Sequence, residues 1–148
     1  MPQTAATPVA YAPGTSNSVL PPSAPFARDY DAVVAIVGHY IEGGRAGDSS
    51  LMRPYFLADA TIVGFAGDTL LSGAIEQLYA WIDANGPAPD VECRFAGVEI
   101  HESIAVVHLE AERWNVSGSE VRFSDAFTLV KTDDGWRIAH KIFHWHSQ

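Results

Sequence analysis

The residue that first raises a chemical question is Asp125. It sits in the run Phe123-Ser124-Asp125-Ala126-Phe127-Thr128-Leu129. In a strand, successive side chains alternate between faces, so Phe123, Asp125, Phe127 and Leu129 share one. That face is large and apolar, which turns a carboxylate toward the core. Burial raises a carboxyl pKa, and a neighbouring histidinium lowers it. If Lys131 pairs with Trp136 across the turn Thr132-Asp133-Asp134-Gly135, Asp125 lies opposite Ile142. It is then diagonal to His140 and His144, with Cβ atoms on the order of 7–8 Å away. An Asp–His pair in a cavity is a general acid/base couple, so Asp125, His140 and His144 are the catalytic candidates. A loop with a bulge would reverse the parity and bring Lys141 beside Asp125 instead. Two other roles stay open for Asp125. It could be a structural acceptor for a tyrosine hydroxyl or His140, or a ligand contact without chemistry.

Tyr40, Tyr55, Tyr79, Trp81 and Trp114, with Phe123 and Phe127, are candidates to line a pocket. An aromatic cavity with few polar groups is the usual small-molecule site. The competing expectation is that most of them are ordinary core. Of the six histidines, His140 and His144 would stand about 13 Å apart on a strand, too far for one ion. His144 and His146, about 6.6 Å apart, would need a third ligand. Neither a metal nor a cofactor is expected. No Gly-x-Ser-x-Gly, phosphate-binding loop or dinucleotide fingerprint occurs. Gly43-Gly44-Arg45-Ala46-Gly47 follows a helix and reads as a loop. Cys93 has no evident base and reads as a buried, inert thiol. Glu110 and Glu112 read as solvated acids or a subunit rim.

These residues belong to a chain of 148, with 47% hydrophobic residues and a formal net charge of −9. That length suits one domain whose core needs no staple. One cysteine rules out an internal disulfide framework. No apolar run is long enough to span a membrane. The acidic balance, 18 Asp+Glu against 9 Lys+Arg, argues against nucleic acid as a partner. Residues 1–27 hold six of the nine prolines and no charged side chain. They read as a tail before a domain at 28–148. The tail is either a flexible leader or an arm anchored by Val19, Leu20 and Phe26. It lacks a basic n-region and an apolar h-region, so a cytoplasmic chain is expected.

The elements that must position the candidates follow from periodicity. From Asp29, the residues Tyr30, Val33, Val34, Val37, Tyr40 and Ile41 make one helical stripe, ended by Gly43-Gly44. Asp48-Ser49-Ser50 caps a short second helix through Leu51, Met52, Tyr55 and Phe56. Ala60–Phe65 and Thr69–Leu71 form a small hairpin around Gly67-Asp68. A third helix spans Gly73–Ala84. Four strands follow, at Glu92–Ile100, Ser103–Trp114, Val121–Lys131 and Trp136–Trp145. The order predicts an α+β domain with helices on one face of a bent antiparallel sheet. The other face would be solvated or paired.

The C-terminal pattern carries a resemblance. Phe123-Ser124-Asp125-Ala126-Phe127-Thr128-Leu129-Val130-Lys131, then Gly135-Trp136-Arg137-Ile138-Ala139-His140-Lys141-Ile142-Phe143-His144, resembles the end of the nuclear transport factor 2-like superfamily. Within it, the pattern is nearest the "Putative lumazine-binding" family. Tyr55-Phe56-Leu57-Ala58-Asp59-Ala60 resembles an earlier family motif, with Leu57 and Ala58 where histidine and proline are usual. The resemblance covers about residues 29–146. It implies a cystatin-like cone, in which a curved sheet wraps the N-terminal helices and leaves a pocket. It also implies a homodimer through the sheet. Three functions compete under that fold. The chain could bind a small, largely apolar ligand, act as an isomerase or dehydratase through Asp125 and a histidine, or serve as a non-catalytic dimeric interaction module.

Overall fold

The computed structural model describes residues 24–146. Val19 and Leu20, named above as anchors, lie outside them. The first helix, α1, spans Pro25–Ala46 and buries Val33, Ile36, Val37, Tyr40 and Ile41 at helical spacing. Proline in the first turn costs nothing, because those N–H groups have no helical acceptor. Gly43-Gly44 do not end the helix. They are buried within its last turn, where bulk is excluded: a Cβ on Gly44 would lie 2.5 Å from the Trp114 ring. The stop falls at Gly47, in the left-handed conformation at φ 65°. Its N–H donates to the Gly44 carbonyl, and the Asp48 N–H donates to Gly43. Residue Phe26 is 61% exposed and, among the described residues, its one aromatic neighbour is the Tyr30 ring.

In place of a second helix there are two 3-10 turns, Ser49–Leu51 and Arg53–Tyr55. Asp48 does cap the first, accepting from the Ser50 N–H. Asp83 holds it to the helix above, accepting from the Ser49 N–H and hydroxyl, both at 2.8 Å. Strand β1 covers Phe56–Ala66, and β2 covers Thr69–Ala74. Gly73 therefore belongs to a strand, and helix α2 begins at Glu76 and ends at Asn85. The remaining strands are β3 (Glu92–His101), β4 (Ile104–Val116), β5 (Ser119–Thr132) and β6 (Gly135–His146).

All six strands form one sheet in the order β2-β1-β6-β5-β4-β3. The sheet is mixed: β1 runs parallel to β6, and every other pair is antiparallel. Both helices cover its concave face, where Val37, Ile82, Val107, Leu109, Phe127 and Ile138 form the core. This is the expected cone. The start of α1 is pinned to the β5–β6 hairpin through Asp29. Its carboxylate accepts from Lys131 Nζ at 2.9 Å and from the Trp136 indole at 3.2 Å. No helix among the described residues is long and apolar enough to cross a membrane.

Two bulges decide what points into the cone. On β4, Ala111 pairs with Phe123 and Trp114 with Val121, so Glu112 and Arg113 together face one residue. Arg113 takes φ 60° there. On β6, Ile138 pairs with Leu129 and His140 with Thr128, which leaves Ala139 unpaired. A bulge bends its strand and swaps the faces of everything beyond it.

Candidate functional site

Lys131 does pair with Trp136. Up to Ile138 the register is the one the turn predicts. The Ala139 bulge then shifts it by one, so Asp125 lies opposite Phe143 rather than Ile142. The predicted Asp–His couple is not formed. His140 lies on the outer face, its Nδ1 2.7 Å from Thr61 Oγ1. His144 is also outside, its ring near those of Phe65 and His146. The residue brought to Asp125 is Lys141, the alternative that a reversed parity offers. Lys141 Nζ donates to Asp125 Oδ1 at 2.9 Å, with the two side chains 3% and 0% exposed.

Tyr40, from α1, completes the group. Its hydroxyl donates to Asp125 Oδ2 at 3.3 Å. Burial drives the Tyr40 pKa well above the ordinary phenol value, and the Asp125 charge raises it further. Tyr40 therefore stays a hydrogen-bond donor. Each Asp125 oxygen has one donor, which is what a buried carboxylate requires. The Lys141 ammonium has three protons, and one goes to Asp125. Around the others stand the rings of Phe143, Tyr40 and Phe127, 5.0, 5.3 and 5.8 Å from Nζ. Cation–π attraction holds the charge there without satisfying its remaining donors.

Above this floor is a cavity of about 140 Å³. Four of the aromatic candidates line it: Tyr40, Trp81, Trp114 and Phe123. Three do not. Phe127 lies beneath, its ring centroid 5.1 Å from that of Tyr40. Tyr55 stacks on His39 at 3.8 Å, away from the cone. Tyr79 packs edge-on to Phe56 and under the Arg53 guanidinium. Burial lifts its hydroxyl to a pKa of about 12.

The sequence reading missed the wall supplied by β6, namely Phe143 and Trp145, because the bulge turns them inward. It also missed Ile62, Leu71, Gln77 and Leu78, which close the remaining sides. Asp125 itself is not in the wall. Lys141 and Tyr40 are the groups that reach the cavity, and Asp125 stands behind them.

Trp114, one wall of the cavity, has a buried indole N–H with no acceptor among the described residues. Cys93 is half-buried, and desolvation raises its thiol to about 11, outweighing Arg45. It is a poor nucleophile at neutral pH. No group of three or more His, Cys, Asp or Glu among the described residues is placed to hold a metal ion. The arrangement is thus an ammonium with spare donors at the floor of an aromatic cavity, fixed from behind by a carboxylate that the Tyr40 hydroxyl also holds.

Comparison with known proteins agrees with this architecture. A solved NTF2-like protein of unknown function from Methylobacillus flagellatus is 36% identical, with a TM-score of 0.74. The match covers 81% of this chain and 94% of that one. Another, from Shewanella baltica, is 32% identical with a TM-score of 0.76, covering 85% and 100%. A ketosteroid isomerase-like protein from Erwinia carotovora shares the fold at 18% identity and a TM-score of 0.63, covering 80% and 96%. Among curated proteins, Aldolase FrzH from Cladobotryum sp is 28% identical over 116 residues, which is 78% of this chain and 90% of the relative. The "Putative lumazine-binding" family model matches residues 28–144, and the chain belongs to that family within the NTF2-like fold.

Proposed function

We propose that the cone binds a small, largely apolar molecule bearing an oxygen acceptor, which Lys141 holds. The observation that carries this reading is a buried ammonium with unused donors at the floor of a cavity whose walls are apolar apart from Gln77 and the Tyr40 hydroxyl. Apolar walls supply affinity by area, and one placed charge supplies orientation. The family's name refers to lumazine, a planar heterocycle with ring carbonyl oxygens. A ring of that kind has faces to stack on tryptophan and an oxygen for Nζ.

Three of the four tryptophans, Trp81, Trp114 and Trp145, line the cavity and make its occupancy readable by fluorescence. Titration with planar carbonyl compounds should give a saturable quench. A charge-assisted hydrogen bond is worth about 1.5–3 kcal/mol, so Lys141→Met should weaken binding about tenfold or more. Equal binding by a folded Lys141→Met variant would overturn the reading.

A second reading is catalysis at the carbon beside a carbonyl. It is supported by the aldolase relative and by the placement of Lys141, whose ammonium could stabilise charge developing on the carbonyl oxygen. In either reading we propose a homodimer through the outer sheet face, where Phe65, Val106 and Ile142 are 44, 43 and 48% exposed.

A further inference from the structure

We infer that Lys141 bonds covalently to its ligand, forming an imine with an aldehyde or ketone. The inference rests on the pocket reading above and adds the chemical class of the ligand and the fate of the amine. Three features of the site carry it. First, Lys141 Nζ is the amine that opens on the cavity. The chain has two lysines, and the other, Lys131, is half-exposed and paired with Asp29 at the far end of β5. Second, Asp125 touches Nζ at 2.9 Å but does not line the cavity, so it exchanges protons with the amine and not with the ligand. Tyr40 occupies its other oxygen at 3.3 Å and keeps Oδ1 turned to Nζ. Third, the walls are aromatic and aliphatic apart from Gln77, which limits the water that would hydrolyse an imine.

The step balances within these groups. The ammonium passes one proton to Asp125, leaving a neutral amine. The nitrogen lone pair attacks the carbonyl carbon. A C–N bond forms, and the C=O π pair moves to oxygen, which takes a proton from the new ammonium centre. The carbinolamine nitrogen then takes the proton back from Asp125 and passes it to the hydroxyl, which leaves as water while the nitrogen lone pair closes the C=N bond. The net change is carbonyl plus ammonium to protonated imine plus water, with Asp125 again a carboxylate. A buried lysine beside a proton acceptor is a recognised form of activated nucleophile.

The test uses the full chain with hydrocinnamaldehyde or benzylacetone and sodium cyanoborohydride, followed by peptide mapping. The expected result is one reduced adduct per chain, on Lys141, formed about tenfold or more faster than any label on Lys131. Lys141→Arg keeps the charge but cannot form the imine, so it should lose the adduct. A probe that saturates the quench yet leaves Lys141 unlabelled overturns the imine and leaves the pocket reading standing. Label confined to Lys131 and the N-terminal amine does the same. Failure of both probes to quench or to label overturns the imine and the pocket reading together.

Discussion

At the scale of residues, the molecule turns on a buried ion pair. Asp125 and Lys141 pair with side chains 0% and 3% exposed, and such a buried pair is asymmetric in its energetics. Removing one partner strands a buried charge, which costs about 3–5 kcal/mol, whereas replacing both by apolar groups can be neutral or stabilising. Lys141→Met alone, or Asp125→Leu alone, should therefore lower the urea midpoint sharply. The double variant should recover most of that loss while losing the function of the pocket. A double variant as unstable as the singles would show that the pair adds net stability to the fold. Glu110, on the outer face, shows the opposite balance. Its desolvation raises the carboxyl pKa, but the Ser124 hydroxyl at 2.6 Å and the Arg122 charge outweigh it, and the net direction is down. Its stabilising contribution is complete above the ordinary glutamate range and fades as pH falls through the lowered value.

At the scale of elements, the sequence was readable where periodicity is unbroken and opaque where it is not. Strand β5 has no bulge, and its alternation alone turns Asp125 inward, as observed at 1% exposure. Helix α1 likewise places Tyr40 by its stripe. Strand β6 was misread because Ala139 carries no sign of an extra residue: no glycine, no proline, no change in hydrophobicity. Arg113 is equally silent, since a left-handed conformation would ordinarily call for glycine or asparagine. The histidine–aspartate pairing failed for this reason alone, and the lysine was found at the position the bulge dictates. Deleting Ala139 tests the point. A straight register would turn Lys141, Phe143 and Trp145 outward and leave Asp125 without its cation. The expected outcome is a loss of several kcal/mol in denaturant unfolding and a red-shifted tryptophan emission. A deletion variant with native stability and spectrum would remove the bulge from the argument.

At the scale of the whole molecule, the helices cover one face of the sheet and leave the other open. Across that open face, Val63 pairs with Ile142, and Ile142 with Ala126, giving an apolar row through three strands. Phe65 and Val106 flank it, and the polar group Glu110, Arg122 and His108 stands beside it. An apolar centre with a polar rim is the anatomy of a subunit interface. Light scattering on the full chain should give the mass of a dimer, and Ile142→Glu should give a monomer that still binds ligand. A wild-type monomer at tens of micromolar would exclude the homodimer.

The parallel pairing of β1 with β6 has a consequence for how the chain reaches this shape. Phe56 meets Ile138, about 80 positions later, whereas β3 to β6 join their neighbours through short turns. Local contacts form early, and distant ones must wait for a costly loop to close. The four-strand meander can thus assemble by itself, while β1 and β2 have no central strand to join until β6 exists. Lys141 and Trp145 lie in that last strand. On the ribosome, the pocket cannot form until β6 has emerged, and a chain stopped before β6 would carry two exposed apolar strands and no site.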